Sequence, residues 1–337
     1  MAIQENNKSG NRRRIDETPK KLYNFLLDTL ECVELRLHGR DLSLGETIMN
    51  VDINTRMITL IGTPLTQSFA ARMQNAGYAA AGMNLAYFYT ETGSEHLGEI
   101  INGIRHMPSF AGCAVTKPNK VKVLKHLDGL DPLCAKMGAC NTVVKTPEGK
   151  LIGYNTDGMG FLRSITEEAG FQVEGSSVFC FGAGGAGRAI CSILAYSGAK
   201  KVYITDLDAE SGRSLADDIN QNFAPIAEFV AAGDYAKIAG CELVINATGL
   251  GMGETVGRSP MPVEYISPDQ FYYDTCYNPA RTRFLMDAEA RGCRVMNGLG
   301  MSLYQGIVQI ELWTGRAAPV DAMRQELLNI LAEEVDS

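Results

Sequence analysis

The chain has 337 residues, 45% of them apolar, and a mean hydropathy of −0.06, which describes a soluble protein with enough apolar matter for more than one domain. Its 39 Asp and Glu against 31 Lys and Arg leave a net charge of −8 and a pI near 5.2; this disfavours a general nucleic-acid binder, because phosphate neutralisation needs clustered cations and the basic "KSGNRRR" near the N-terminus is too short to supply them. No apolar run reaches the length of a membrane span and no charged-then-apolar leader opens the chain, so a cytoplasmic location away from membranes is expected.

In chain order, residues 1–19 are polar and expected to be disordered. "KKLYNFLLDTLECVELRL" then places Leu22, Phe25, Leu26, Leu30, Val33 and Leu37 at helical spacing. The main body begins near Met57. "MITLIG" reads as a strand, a helix follows from about Ser68, and "GMNLAYFYT" is a second strand. "LGEIINGIRHM" is a helix and "FAGCAVT" a third strand, which together argue for a parallel α/β unit. The polar loop "AVTKPNK", Ala114–Lys120, leads into "VKVLKHL", which reads as a helix. A second unit runs through "VFCFGAGGAGRAI", "KVYITD", "ELVINAT" and "QFYYDTCY", and the chain closes in helices after Gly300. The fold class is therefore α/β with two units and a hinge around residues 155–160.

The second unit carries the clearest motif. "GAGGAG", Gly182–Gly187, satisfies G-x-G-x-x-G directly after the apolar strand "SSVFCF" and at the start of a helix. Such glycines make a tight turn, let the backbone approach a pyrophosphate and allow close helix-to-strand packing, while free N–H groups of the helix start face the anion. Gly182, Gly184, Gly185, Ala186 and Gly187 are thus cofactor candidates. The next strand ends at Asp206, where a carboxylate would accept hydrogen bonds from the adenosine ribose. With Asp208 two residues on and no arginine near in sequence, a 2′-phosphate would be repelled, so NAD is favoured over NADP. Capping of the helix in "DAESGRSLADDI" is the competing role for both aspartates. Tyr196 and Lys200 reproduce a Y-x-x-x-K spacing known from other dehydrogenases, but they sit at the end of the first helix after the glycine loop and read as helix end and turn.

Nine scattered cysteines form no C-x-x-C pair, and an odd count in a long chain fits a reducing compartment. The four histidines, His38, His96, His106 and His126, are not spaced as zinc ligands, so no metal site is expected and a Ser-His-Asp hydrolase is poorly supported.

From about Met57 to Gly315 the chain resembles the shikimate/quinate dehydrogenase family, through several motifs in order. "GTPLTQS" resembles its first substrate loop, "AVTKPNK" its N-V-T-x-P-x-K segment, "GACNTV" its G-A-x-N-T segment and "GYNTDGMG" its G-x-N-T-D-x-x-G segment. "NATGLGM", "DTCYNPARTRFL" and "GLGMSLYQGIVQIELWTG" are similar to its later segments. The resemblance implies an N-terminal α/β substrate domain over residues 57–156, completed by helices over 300–337, and a Rossmann NAD-binding domain over 157–299, with 1–56 as an extension. It implies Lys120 and Asp157 as the catalytic pair. It further implies Ser68, Thr116, Asn141, Gln305 and Tyr277 as substrate ligands, and Thr248, Gly249, Met252 and Gly298 beside the nicotinamide. The implied partner is a small hydroaromatic substrate, shikimate or quinate, and the oligomeric state considered is a homodimer.

The chain departs from the family where it reads a carboxylate. Of two serines that the family places two residues apart, Ser68 is present and the second is Ala70; the asparagine that opens N-V-T is Ala114, and Lys117 and Asn119 replace apolar and aromatic residues around the proline. Either Arg72 or Lys117 supplies a charge-assisted contact instead, or the substrate is another cyclic polyol. Where biosynthetic members carry Asn-Arg-Thr, this chain has Asp206, Leu207 and Asp208, which resembles NAD-using quinate-type members and tilts the reading toward catabolism. A hydroaromatic sensor without turnover is the reading from another class; the intact Lys120, Asp157 and glycine loop argue against it.

Overall fold

A computed structural model describes residues 51–66 and 68–335, so the helix expected over 20–37 and the disorder expected over 1–19 lie outside the described residues. The first sheet is built on β1 (Arg56–Gly62), buried without interruption from Ile58 to Gly62, as a strand covered on both faces requires. It pairs in parallel with β2 (Leu85–Glu91) and β3 (Phe110–Val115), and the crossovers are α1 (Ala70–Ala80) and α2 (Leu97–His106).

Beyond β3 the expectation of a parallel unit fails. β5 (Thr142–Lys145) runs antiparallel to β3 and β6 (Leu151–Tyr154) antiparallel to β5, while the two-residue β4 (Gly129–Leu130) adds in parallel to β6. The sheet order is β2-β1-β3-β5-β6-β4. The cause is local: "TPEGK" between β5 and β6 is too short for a crossover and closes as a hairpin, with Gly149 at φ 81° and Thr146 N–H donating to the Lys150 carbonyl. The helix expected in "VKVLKHL" is only a 3₁₀ turn, Lys122–His126, in which Val123 alone is buried. A segment with one apolar anchor has no face to hold a longer helix.

The chain then forms α3 (Pro132–Met137) and α4 (Thr156–Arg163). The second sheet contains β7 (Ser177–Phe181), β8 (Lys201–Thr205), β9 (Ala227–Phe229), β10 (Leu243–Asn246), β11 (Phe271–Asp274) and β12 (Arg294–Asn297). Its order is β12-β11-β10-β7-β8-β9 with every pair parallel, the doubly wound Rossmann arrangement whose order reverses between β7 and β10. Helices α5 (Gly185–Tyr196) and α6 (Ala209–Asn222) follow β7 and β8. The short β9 and β12 carry too few residues for a sequence pattern.

After α7 (Arg283–Ala290), the chain ends in α8 (Leu299–Thr314) and α9 (Val320–Val335). Leu303, Ile307, Ile310 and Trp313 of α8 and Met323 and Leu327 of α9 join one core with Ile58, Met73, Tyr78 and Tyr87, so the C-terminal helices cover the first sheet. The segment expected as a hinge, 155–160, is the start of α4. Asn155 caps it by accepting from Gly158 N–H, and at Gly160 a Cβ would meet the Gln305 nitrogen at 2.5 Å and the Met301 carbonyl at 2.7 Å. Helices α4 and α8 are thus packed backbone to backbone, which leaves no loose joint at that point. Among the described residues no helix is long and apolar enough to cross a membrane, and no group of three or more His, Cys, Asp or Glu could hold a metal.

Candidate active site

The polar loop after β3 is fastened by its asparagine. Asn119 is fully buried; its Nδ2 donates to the carbonyls of Thr92 and Gly93 at 3.3 and 3.2 Å, and its Oδ1 accepts from Ser94 Oγ at 2.9 Å. That anchorage and a bond from Cys140 N–H to the Lys120 carbonyl fix the backbone of the next residue. Lys120 Nζ then reaches Asp157 Oδ2, in the first turn of α4, at 2.7 Å, with both side chains mostly shielded from solvent.

Asp157 is held from the other side. Asn141 Nδ2 donates to Asp157 Oδ1 at 2.8 Å and to Thr156 Oγ1 at 3.0 Å, while its Oδ1 accepts from Thr156 N–H at 2.7 Å and Thr142 Oγ1 at 2.9 Å. Both amide hydrogens and both lone pairs of Asn141 are therefore engaged within the protein. The network continues inward. Gln309 Nε2 donates to Thr142 Oγ1 at 3.0 Å, and Gln74 Nε2 donates to Gln309 Oε1 at 3.0 Å, linking α1, α8 and the catalytic pair through buried amides. The sequence reading passed over both glutamines; their only signal is an amide on an otherwise apolar helix face, as in "GIVQIELW".

A cavity of about 320 Å³ opens in front of this pair. Ser68, Thr116, Asn141, Gln305 and Tyr277 all line it together with Lys120 and Asp157, so the expected substrate residues converge. Ala186 of the glycine loop and Gly298 line the same cavity, as do Ala70 and Ala114. At Gly298 a Cβ would meet the Thr275 carbonyl at 2.1 Å, which explains glycine there. Phe69 and Tyr277 meet edge to face with ring centroids 5.0 Å apart, joining the first substrate loop to the loop after β11.

The glycine loop divides its work by position. Gly182 has φ 102°, open to glycine and strained for other residues, and its Cβ would meet the Ala247 carbonyl group at 2.8 Å. At Gly187 a Cβ would lie 1.9 Å from the Gly182 carbonyl oxygen. At Gly184 and Gly185 it would meet nothing within 4 Å, leaving room in front of the first turn of α5 for an anion. The chain's own residues thus fit a dinucleotide.

A second cavity of about 460 Å³ is lined by Asp206, Leu207, Thr248, Gly249 and Tyr235. Asp206 Oδ2 accepts from Ala183 N–H at 2.7 Å, tying the end of β8 to the glycine loop. Asp208 serves its own helix: it caps α6, accepting from Ser211 Oγ at 2.6 Å and Glu210 N–H at 3.1 Å, bonds that hold its carboxyl below the usual carboxylate range. Asp208 does not line the cavity, and the half-exposed Met252 lines neither cavity. Conversely, Arg258 lines the same cavity as Asp206, although no arginine is near it in sequence. Its guanidinium has no partner among the described residues.

Behind the two loops that border this region, Asp274 accepts from Thr282 Oγ1 at 2.6 Å, Cys276 N–H at 2.9 Å and Asn246 Nδ2 at 3.0 Å. Burial pushes its pKa up, and the three donors oppose that. Asp274→Ala would strand three buried donors, and we expect a loss of about 3 kcal/mol, read as a lower denaturant midpoint with an unchanged slope. The eight described cysteines are free and buried; Cys32 and His38 lie outside the described residues. Burial raises the Cys241 thiol to about 12.

The chain matches the family models described as shikimate dehydrogenase substrate binding domain, over residues 60–143, and Shikimate 5'-dehydrogenase C-terminal domain, over residues 298–328. A relative named shikimate dehydrogenase (NADP(+)) from Desulforamulus reducens is 40% identical over 285 residues, which covers 83% of this chain and 96% of the relative. Among solved structures, shikimate 5-dehydrogenase from Listeria monocytogenes in complex with shikimate and NAD is similar at TM-score 0.80 and 34% identity, covering 84% of this chain and 100% of that one. Quinate dehydrogenase from Corynebacterium glutamicum in complex with NAD gives TM-score 0.77 and 32% identity, covering 82% and 99%.

Proposed function

The chain belongs to the shikimate dehydrogenase family and is an oxidoreductase acting on a hydroaromatic alcohol, and from that premise we propose that it interconverts shikimate or quinate with the corresponding ring ketone, preferring NAD. The observation that carries the reading is the Lys120–Asp157 pair, 2.7 Å apart, in a cavity walled on one side by polar loop residues and on the other by Ala186 of the glycine loop and Gly298.

The nicotinamide cofactor, when bound, takes up or returns the hydride. The chain's residues handle the proton and the geometry. Lys120 Nζ exchanges the proton of the ring hydroxyl, and Asp157 keeps that nitrogen aimed into the cavity. Asn141, with its four valences engaged, acts on the reaction through Asp157. Ser68, Thr116, Gln305 and Tyr277 offer neutral donors and acceptors to the remaining ring hydroxyls. The buried free thiols suit the reducing cytoplasm, where we place the protein.

NAD preference rests on Asp206. Its carboxylate lines the nucleotide cavity, so a 2′-phosphate would stand beside a like charge, with Arg258 as the group on that wall able to offset it. Asp206→Asn should raise kcat/KM with NADP⁺ on the order of tenfold, and Arg258→Ala should lower NADP⁺ use while sparing NAD⁺. A wild-type preference for NADP⁺ would sink the cofactor reading.

The function is tested by nicotinamide reduction with shikimate, quinate and a panel of cyclic polyols. Turnover of either acid that depends on Lys120 supports it; turnover of neither, with both nucleotides tried, overturns it. Ala70 and Ala114, apolar in the cavity wall, favour a second reading in which another cyclic polyol is the better substrate.

A further inference from the structure

A hydroaromatic acid brings a carboxylate into the site, and the cavity before Lys120 offers it little. Ala70 and Ala114 supply no side-chain donor, and Leu60, Met73 and Val115 line the wall beside them. Three basic residues stand near the loops concerned, and the structure separates them. Lys120 is matched by Asp157. Arg72 is held by two carboxylates of α9: its Nε and Nη2 lie 2.8 and 2.7 Å from Glu326 Oε1, and its Nη1 lies 2.7 Å from Glu333 Oε2. It lines neither the catalytic nor the nucleotide cavity.

Lys117 is placed differently. It is exposed, and its ammonium has no hydrogen-bond or ion-pair partner among the described residues. Its backbone is fixed, because its carbonyl accepts from Thr63 N–H at 3.0 Å and closes against Gly62, where a Cβ would meet that oxygen at 2.6 Å. It lines a groove of about 380 Å³ that shares Leu60, Ser68, Thr116 and Tyr277 with the catalytic cavity. Of the residues lining these two connected spaces, Lys117 carries the one positive charge without a counter-charge. The opposite wall is also fixed: the Tyr89 hydroxyl donates to the Ser68 carbonyl at 2.5 Å and accepts from Ala71 N–H at 3.1 Å.

We propose that Lys117 is the specificity-determining residue for the substrate carboxylate, holding it at the mouth of the shared groove beside Ser68 and Thr116. The inference rests on the hydroaromatic-acid reading and deepens it, because recognition by serine hydroxyls is replaced by recognition through charge. A lysine ammonium is a mobile point charge with three donors and no fixed fork. Such a partner tolerates a carboxylate leaving the ring from a planar carbon, as in shikimate, or from a tetrahedral carbon that also bears a hydroxyl, as in quinate. The site is therefore expected to take both acids.

The test compares wild type, Lys117→Gln and Lys117→Arg in calorimetric binding and in steady-state kinetics, with sodium shikimate, sodium quinate and methyl shikimate as probes. Lys117→Gln should weaken Kd and KM for both acids about tenfold, the effect of losing one charge-assisted hydrogen bond, with kcat within about twofold and KM for NAD⁺ unchanged. Lys117→Arg should recover most of the acid affinity, and the methyl ester should bind wild type and Lys117→Gln alike. Acid binding that is unchanged in Lys117→Gln, or acid and ester weakened equally, overturns the role of Lys117 and leaves the enzyme reading standing. Wild-type protein that binds neither acid overturns both.

Discussion

Lys120→Ala should lower kcat for the hydroaromatic alcohol on the order of a thousandfold and leave NAD⁺ affinity within about twofold, since a positioned proton-transfer group contributes about 10²–10⁴. The ammonium is also one half of an ion pair, so the alanine variant alone does not separate chemistry from charge. Lys120→Arg makes that separation: it keeps the charge beside Asp157 but cannot give up its proton at any working pH. Lys120→Arg should therefore be nearly as inactive as Lys120→Ala while melting close to wild type. An arginine variant retaining most of kcat would show that position 120 contributes charge alone, and the proton-transfer role would fall. Asp157→Asn should also lose activity by about tenfold or more. Both carboxylate oxygens face donors, Lys120 Nζ at 2.7 Å and Asn141 Nδ2 at 2.8 Å, so an amide at 157 must turn its own NH₂ toward one of them.

Gly187→Ala should weaken NAD⁺ binding on the order of a hundredfold and destabilise the protein by about 1–3 kcal/mol, the usual range for forcing atoms into a packed site. The new methyl carbon would stand 1.9 Å from the Gly182 carbonyl oxygen and 2.8 Å from its carbon. Both are backbone atoms of the turn itself, so relief requires the loop to change shape. Gly185→Ala gives the contrasting outcome. No atom lies within 4 Å of a Cβ there, so the melting temperature should hold while KM for NAD⁺ rises, because the methyl occupies space in front of the helix start. Equal melting losses in the two variants would mean that the open room at 185 is not the anion's place.

Much of this was legible beforehand, for physical reasons that can be named. Uninterrupted apolar runs such as Ile58–Gly62 and Val178–Phe181 mark strands covered on both faces, and the glycine loop lies between such a strand and a helix, where its spacing has meaning. The hairpin of β5 and β6 and the short β9 and β12 were not legible, because three or four residues hold too little period to distinguish a strand from a loop. The helix expected in "VKVLKHL" failed for a related reason: its apolar residues match a helical period, but only Val123 finds a core to enter.

By itself the sequence determined which residues carry the chemistry: Lys120 and Asp157, the converging Ser68, Thr116, Asn141, Gln305 and Tyr277, and the glycines before α5. It could do so because motifs are local in the chain. Tertiary structure alone decided how those groups are occupied. Arg72 and Glu333 are 261 positions apart, and their ion pair removes Arg72 from consideration as a carboxylate ligand. Gln309 and Thr142 are 167 apart, and their bond makes an ordinary-looking helical glutamine part of the support for Asp157. Arg258 reaches the wall of the Asp206 cavity, while Asp208, next but one to Asp206, turns to cap its own helix. Hydrogen bonds and charges act over a few ångströms, and a linear chain states which groups exist without stating which of them folding brings within that reach.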